Sequence, residues 1–136
     1  MIDPLDVPRE HLRQFWPQAR PFIERALAVD DLPYIAEDVY RFLSEGLATL
    51  HLTVDDDHKV TGCFVIRKQR TWDRDELYVW LLGHENPEHG VVEYLDWLNR
   101  LTRKASCSRW TADSPRPFHK VVPGLRLASH HFVMEV

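Results

Sequence analysis

The stretch from His84 to His89, HENPEH, gathers two histidines and two glutamates beside a helix start. Metal chemistry is the first thing such residues suggest. A zinc-protease helix uses His-Glu-x-x-His, which sets two imidazoles one turn apart on one face. Here the second histidine comes five positions after the first, Pro87 starts a helix between them, and no third ligand is evident. The inverted His-x-x-Glu-His pattern fails too, so no metal is expected. Proton transfer is the second possibility. Glu85 or His84, at the end of an apolar strand, has the chemistry of a general base. A polar, capped turn accounts for the same residues, because glutamates at a helix start complement its dipole.

Other constellations carry less. His130 and His131 are neighbours in a strand-like segment, so they point to opposite faces and cannot share a metal on one face. Trp72 lies in the charged turn RTWDRDE, where nothing in the pattern buries it. A tryptophan beside Arg70 and Arg74 has the composition of a protein interface. Trp97 falls toward the edge of its helix's apolar stripe. No nucleophile elbow, P-loop, Rossmann fingerprint or Cys–His pair appears, and Ser114, in SPRP, reads as a turn former.

The elements around HENPEH follow from periodicity. ELYVWLLG (76–83) is a nearly continuous apolar run, as in a strand buried on both faces. Asn86-Pro87 then caps a helix running to about Lys104, with Val91, Tyr94, Leu95, Leu98 and Leu101 as its inner stripe. Upstream, Pro8 to Val29 is helical, with a kink or fresh start expected near Pro17. A second helix covers Ile35 to about Glu45 and stops at Gly46. LATLHLTV (47–54) alternates as a strand with one buried face, and VTGCFVIRKQ (60–69) pairs with it across DDDHK. Beyond the 87–104 helix come a strand at 107–112, a short helix at 118–122, and a last strand at 129–136. The order is α-α-β-β-β-α-β-α-β: an α/β (α+β) single domain over residues 1–136, with a central parallel β-α-β crossover.

Composition sets the limits. The 136 residues are 44% hydrophobic and 28% charged, enough for one packed core. The net charge is -4 and no long basic run exists, which argues against nucleic acid as partner. Arg67, Lys68, Arg70 and Arg74 would need a face free of acids, and Asp73, Asp75 and Glu76 stand among them. Cys63 and Cys107 read as small core residues in a reducing compartment. The start MIDPLDVPREH is acidic and proline-bearing, unlike a signal peptide, and no apolar run reaches the roughly 20 residues of a membrane span. The expectation is a soluble intracellular protein.

This element order resembles the GCN5-related N-acetyltransferase (GNAT) fold, as does the succession of LYVWLLG, a turn, the 87–104 helix and SRWTA. More narrowly, WPQARPFIERAL, YLDWLNRL and PGLRLASHHFVMEV resemble the small GNAT-like proteins of tailed bacteriophages. The resemblance implies acetyl-CoA as cofactor, with the backbone around Leu82, Gly83, Asn86, Glu88 and Gly90 as its cradle. It implies Glu85 or His84 as proton carrier, and Lys120 near the leaving thiol. The chain departs from the family pattern in two places. The family's Arg/Gln-x-x-Gly-x-Gly/Ala turn becomes GHENPEHG, where Pro87 removes an amide donor and Glu85 and Glu88 place negative charge against a diphosphate. The family's frequent catalytic tyrosine falls on Lys120.

Two expectations result. The first is a degenerate, phage-type member that needs no cofactor. It would work through a protein partner or homo-oligomer, in virion assembly or on a host protein, and so in the host cytoplasm or the particle. It calls for an exposed patch around Trp72. The second is a working acetyl-CoA-dependent N-acyltransferase, which calls for an open cleft where strands 77–83 and 107–112 splay apart.

Overall fold

The computed structural model describes residues 2–29, 33–113, 120, 122–128 and 134, with backbone alone for 87–89. Its elements are β1 (Leu5–Val7), α1 (Leu12–Val29), α2 (Ala36–Ser44), β2 (Thr49–Val54) and β3 (Val60–Arg70), then β4 (Asp75–His84), α3 (Pro87–Glu93), α4 (Leu95–Lys104) and β5 (Trp110–Ala112). The sheet runs β1-β2-β3-β4-β5 in space, antiparallel except for the parallel β4–β5 pair. The expected mixed sheet with a parallel β-α-β unit is present.

Helix α1 lays Leu12, Ala19, Phe22, Ile23, Ala26 and Leu27 against one sheet face, joined by Val39 and Leu43 of α2. Of the kink or fresh start expected near Pro17, the fresh start does not occur: α1 runs as one helix through Pro17 and Pro21. Both prolines are exposed, so the carbonyls they leave without a donor face water, and the buried stripe holds the helix together. Helix α2 ends in a Schellman turn. The Leu47 amide donates to Phe42 O, the Gly46 amide donates to Leu43 O, and Gly46 takes φ +76°.

Three further expectations need correction. Strand β2 is buried on both faces rather than one: Leu50 and Leu52 face the α1/α2 core, while His51 and Thr53 are covered on the other side. His51 meets Trp97 of α4 at 5.3 Å between ring centroids. Trp97 is therefore a core residue, 8% exposed and packed on Phe64, not an edge one. The helix expected over 87–104 is two segments divided at Tyr94 (φ -101°, ψ 12°). Strand β1 had no counterpart in the sequence reading. It is held by pairing with β2 and by Asp3, whose carboxylate accepts two bonds from Arg100 at 2.9 and 3.0 Å. The helix expected at 118–122 and the strand at 129–136, with Ser114, His130 and His131, fall outside the described residues apart from Lys120, Val122 and Met134.

The opposite sheet face is covered by α3 and α4. Phe64, Ile66, Leu77, Val79, Tyr94, Trp97, Leu98 and Cys107 form this second core. Cys63 and Cys107 are both free and buried, and burial pushes the Cys63 thiol up to about 12. That thiol stays protonated and unreactive at neutral pH.

Candidate functional site

Strand β4 organises the site, because both candidate regions hang from its ends. Its register with β3 steps from Val65↔Leu81 to Ile66↔Val79, so Trp80 is an extra residue. This bulge turns Trp80 and Leu81 alike into the α1/α2-side core. Bulges of this kind bend a strand and re-aim side chains, commonly beside functional sites. On its other edge β4 pairs with β5 only over Leu77–Val79. A cleft of about 530 Å³ opens there, lined from both sheet faces by Phe64, Tyr78, Val79, Trp80, Leu82, Leu98 and Trp110, among others. The cleft sits where the 77–83 and 107–112 strands separate.

Its polar end was not foreseen from sequence. Glu76 is 4% exposed. It accepts bonds from Arg109 Nε at 2.6 Å and Gln69 Nε2 at 2.8 Å, with Thr111 Oγ1 farther off at 3.4 Å. Burial alone would raise its pKa. The hydrogen bonds from Gln69 and Arg109 outweigh that and hold the carboxyl below its ordinary value. It is an ionised structural acid, unsuited to take a proton near neutrality. Nearby, the Tyr78 hydroxyl donates to Asp113 Oδ2 at 2.8 Å.

The HENPEH turn closes the C-terminal end of β4, and three of its amides are engaged within the chain. The Glu85 amide donates to Thr61 O at 3.0 Å, the Asn86 amide to His84 Nδ1 at 2.9 Å, and the Gly90 amide to Asn86 O at 2.9 Å. The glycines are also engaged. A Cβ on Gly83 would stand 2.2 Å from Phe22 O, so this glycine lets α1 approach the sheet. A Cβ on Gly90 would stand 3.1 Å from the His84 ring. Glu85 and Asn86 are exposed. Among the described residues no group of three or more His, Cys, Asp or Glu is placed to hold a metal.

The residues named from sequence thus fall in separate places. Leu82 lines the cleft; His84, Glu85, Asn86 and Gly90 form the turn beyond it; Glu88 is described by its backbone alone. Lys120 is exposed. Trp72, Arg70 and Arg74 lie at the opposite end of β4, on the β3–β4 hairpin tip. Trp72 is 99% exposed. The cations around it are paired within the tip, Arg70 with Asp75 at 3.4 Å and Arg74 with Asp73 at 3.1 Å.

No family model and no curated protein sequence matches the chain. Solved structures do. A probable acetyltransferase superposes with a TM-score of 0.70 at 9% identity, over 99% of this chain and 98% of that one. An aminoglycoside acetyltransferase from an uncultured soil metagenomic sample gives 0.67 at 11%, over 98% and 95%. A ribosomal-protein-alanine N-acetyltransferase from Brucella melitensis gives 0.63 at 11%, over 98% and 100%. The fold is therefore GNAT-like, the one these acetyltransferases share. Among the described residues no helix is long and apolar enough to cross a membrane.

Proposed function

We propose that this chain is a phage-type GNAT-fold protein with a degenerate acyl-CoA site, acting through protein–protein contacts in virion assembly or on a host protein. The observation that carries this is the state of the turn after β4. A diphosphate cradle needs several free backbone amides at a helix start. Here the amides of Glu85, Asn86 and Gly90 are engaged within the chain and Pro87 has none, which leaves only those of Glu88 and His89 at the helix start. The exposed Glu85 adds charge of the wrong sign. Trp72 supports the second half of the proposal. A fully presented indole ringed by mutually neutralised charges has the make-up of an interface anchor with a polar rim. The phage character rests on the resemblance of WPQARPFIERAL, YLDWLNRL and PGLRLASHHFVMEV, and it carries with it a place in the host cytoplasm or the particle.

One observation favours a second reading, an acetyl-CoA-dependent N-acyltransferase: the cleft between β4 and β5, beside the Trp80 bulge. In that reading Leu82 to Gly90 hold the cofactor, Glu85 or His84 moves the proton, and Lys120 stands near the thiol. Isothermal titration of acetyl-CoA and free CoA into the purified protein decides between them. Absence of saturable heat is expected. Saturable binding of one equivalent at micromolar strength would replace the first reading with the second.

A further inference from the structure

Strand β4 has an edge that its neighbour leaves open. Leu77 and Val79 turn their backbone groups toward β5, and the Leu77 amide donates to Arg109 O at 3.1 Å. The extra residue Trp80 then shifts the alternation, and Leu81 and Gly83 face β3, opposite Val65 and Cys63. Leu82 is therefore the next residue whose amide and carbonyl point away from β3, past the end of the pairing with β5. Among the described residues nothing bonds those groups. An unpaired strand edge of this kind accepts an added strand.

The cleft beside that edge has two unlike sides. Toward α3 and α4 it presents Phe64, Val79, Leu98 and Trp110, and the Leu82 side chain packs on the same core. Toward α1 and α2 it presents Tyr78 and Trp80, whose rings the Arg67 guanidinium holds from 5.4 and 5.7 Å. Thr111, in register with Tyr78, and Asp113, which accepts from the Tyr78 hydroxyl, make this side polar. A strand is the ligand form whose side chains alternate between two such sides. Charge favours no ionic head. Glu76 and Arg109 pair at 2.6 Å, and the exposed Asp113 and Arg126 bring one charge of each sign. A neutral occupant matches that balance.

We propose that the open edge of β4 binds an extended peptide segment of a partner protein, one that alternates apolar with small polar residues and carries no net charge. The segment lies antiparallel to β4, because only in that orientation does one residue exchange both backbone bonds with Leu82. That residue stands directly opposite Leu82, so its side chain shares the apolar side, and its neighbours point to Tyr78, Thr111 and Asp113. The inference rests on the protein-contact reading and adds to it a second surface, apart from Trp72. The two fail separately: saturable acetyl-CoA binding sinks that reading whatever the peptides do, and the peptide test uses no CoA.

The test is amide NMR of the full chain, labelled with nitrogen-15, with hydrogen exchange followed at Leu82. In the free protein the Leu82 amide is expected to exchange faster than those of Leu81 and Gly83, which face β3. The probe is acetyl-Thr-Val-Thr-Val-Thr-amide. It is expected to shift the cleft amides saturably, with a dissociation constant of roughly 1 mM or tighter, and to slow Leu82 exchange about tenfold at about ten times that constant. A second peptide, N-methylated at both valines, loses the bonds to Leu82 and is expected not to bind. N-methylation of the central threonine, whose amide faces away from β4, is expected to be tolerated. Equal binding by the valine-methylated peptide, loss of binding on threonine methylation, binding without slowed exchange at Leu82, or no saturable shift up to roughly 10 mM overturns the proposal. So does a Leu82 amide as protected as that of Leu81 in the free chain, since the edge would then be taken. Every comparison uses the wild-type chain, so none depends on a variant that folds.

Discussion

Arg109 Nε donates to Glu76 Oε2 at 2.6 Å, joining the strand before the crossover helices to the strand after them. Glu76 is nearly fully buried, while Arg109 keeps 40% of its side chain in water. Removing the arginine strands a buried carboxylate. Arg109→Ala is expected to cost about 2–3 kcal/mol in urea unfolding, below the range for fully buried pairs because the cation is part-solvated. Glu76→Gln, which keeps the shape and removes the charge, should cost less.

The same carboxyl sets one acid transition. Its folded pKa lies below the unfolded value, so its stabilisation is present above the unfolded pKa of about 4.3 and is lost as pH falls through the folded one. Urea unfolding of Glu76→Gln at descending pH should show a shallower fall below about pH 4.3 than the wild type. An identical slope would contradict the assignment.

His51 acts at higher pH. Burial lowers its pKa from 6.5 to about 4, with the Asp6 carboxylate opposing the shift. The unfolded chain therefore binds the proton first. Stability is full above 6.5 and falls between 6.5 and about 4, by up to about 3 kcal/mol. A proton NMR titration should find one imidazole with a midpoint near 4, absent in His51→Gln; a midpoint near 6.5 would refute the burial argument.

Gly83 is there for helix packing. A Cβ 2.2 Å from Phe22 O forces α1 off the sheet, so Gly83→Ala is expected to lose about 1–3 kcal/mol. Gly90→Ala, whose Cβ would meet only the edge of His84, should lose less. Equal urea midpoints for Gly83→Ala and wild type would contradict the contact.

Trp72 is presented to solvent rather than packed. Trp72→Ala should leave the thermal midpoint unchanged, with stability within about 0.5 kcal/mol of wild type, while weakening a protein contact made through the hairpin tip by about 2 kcal/mol or more. A midpoint lowered by several degrees would make the indole a packing residue.

Much of the fold was legible because its signals are local. The apolar run LYVWLLG marked a strand buried on both faces, and the stripe through Val91, Tyr94 and Leu98 marked the crossover helices. The errors came where tertiary packing overrides local pattern. His51 and Thr53 read as an outer face, yet both are buried, His51 against Trp97 of α4, and Pro17 and Pro21 read as breaks, yet they sit on the wet side of a docked helix. Strand β1, three residues long, exists only through its pairing with β2 and the Asp3–Arg100 contact. The site was legible in part. The splay of β4 from β5 followed from the element order, but Glu76 and Arg109 lie 33 positions apart and Arg67 meets Tyr78 and Trp80 across two strands. No spacing rule connects such residues. A carboxylate and an arginine bounding apolar strands were the available hint, since neither is buried without a partner.

The thermal midpoint with and without about 1 mM acetyl-CoA tests most directly whether the turn after β4 holds acyl-CoA. An unmoved midpoint is predicted. A micromolar site at about 1,000-fold ligand excess would add about 4 kcal/mol and raise the midpoint by many degrees. Such a rise would contradict the degenerate reading and make the β4–β5 cleft an acyl-CoA site.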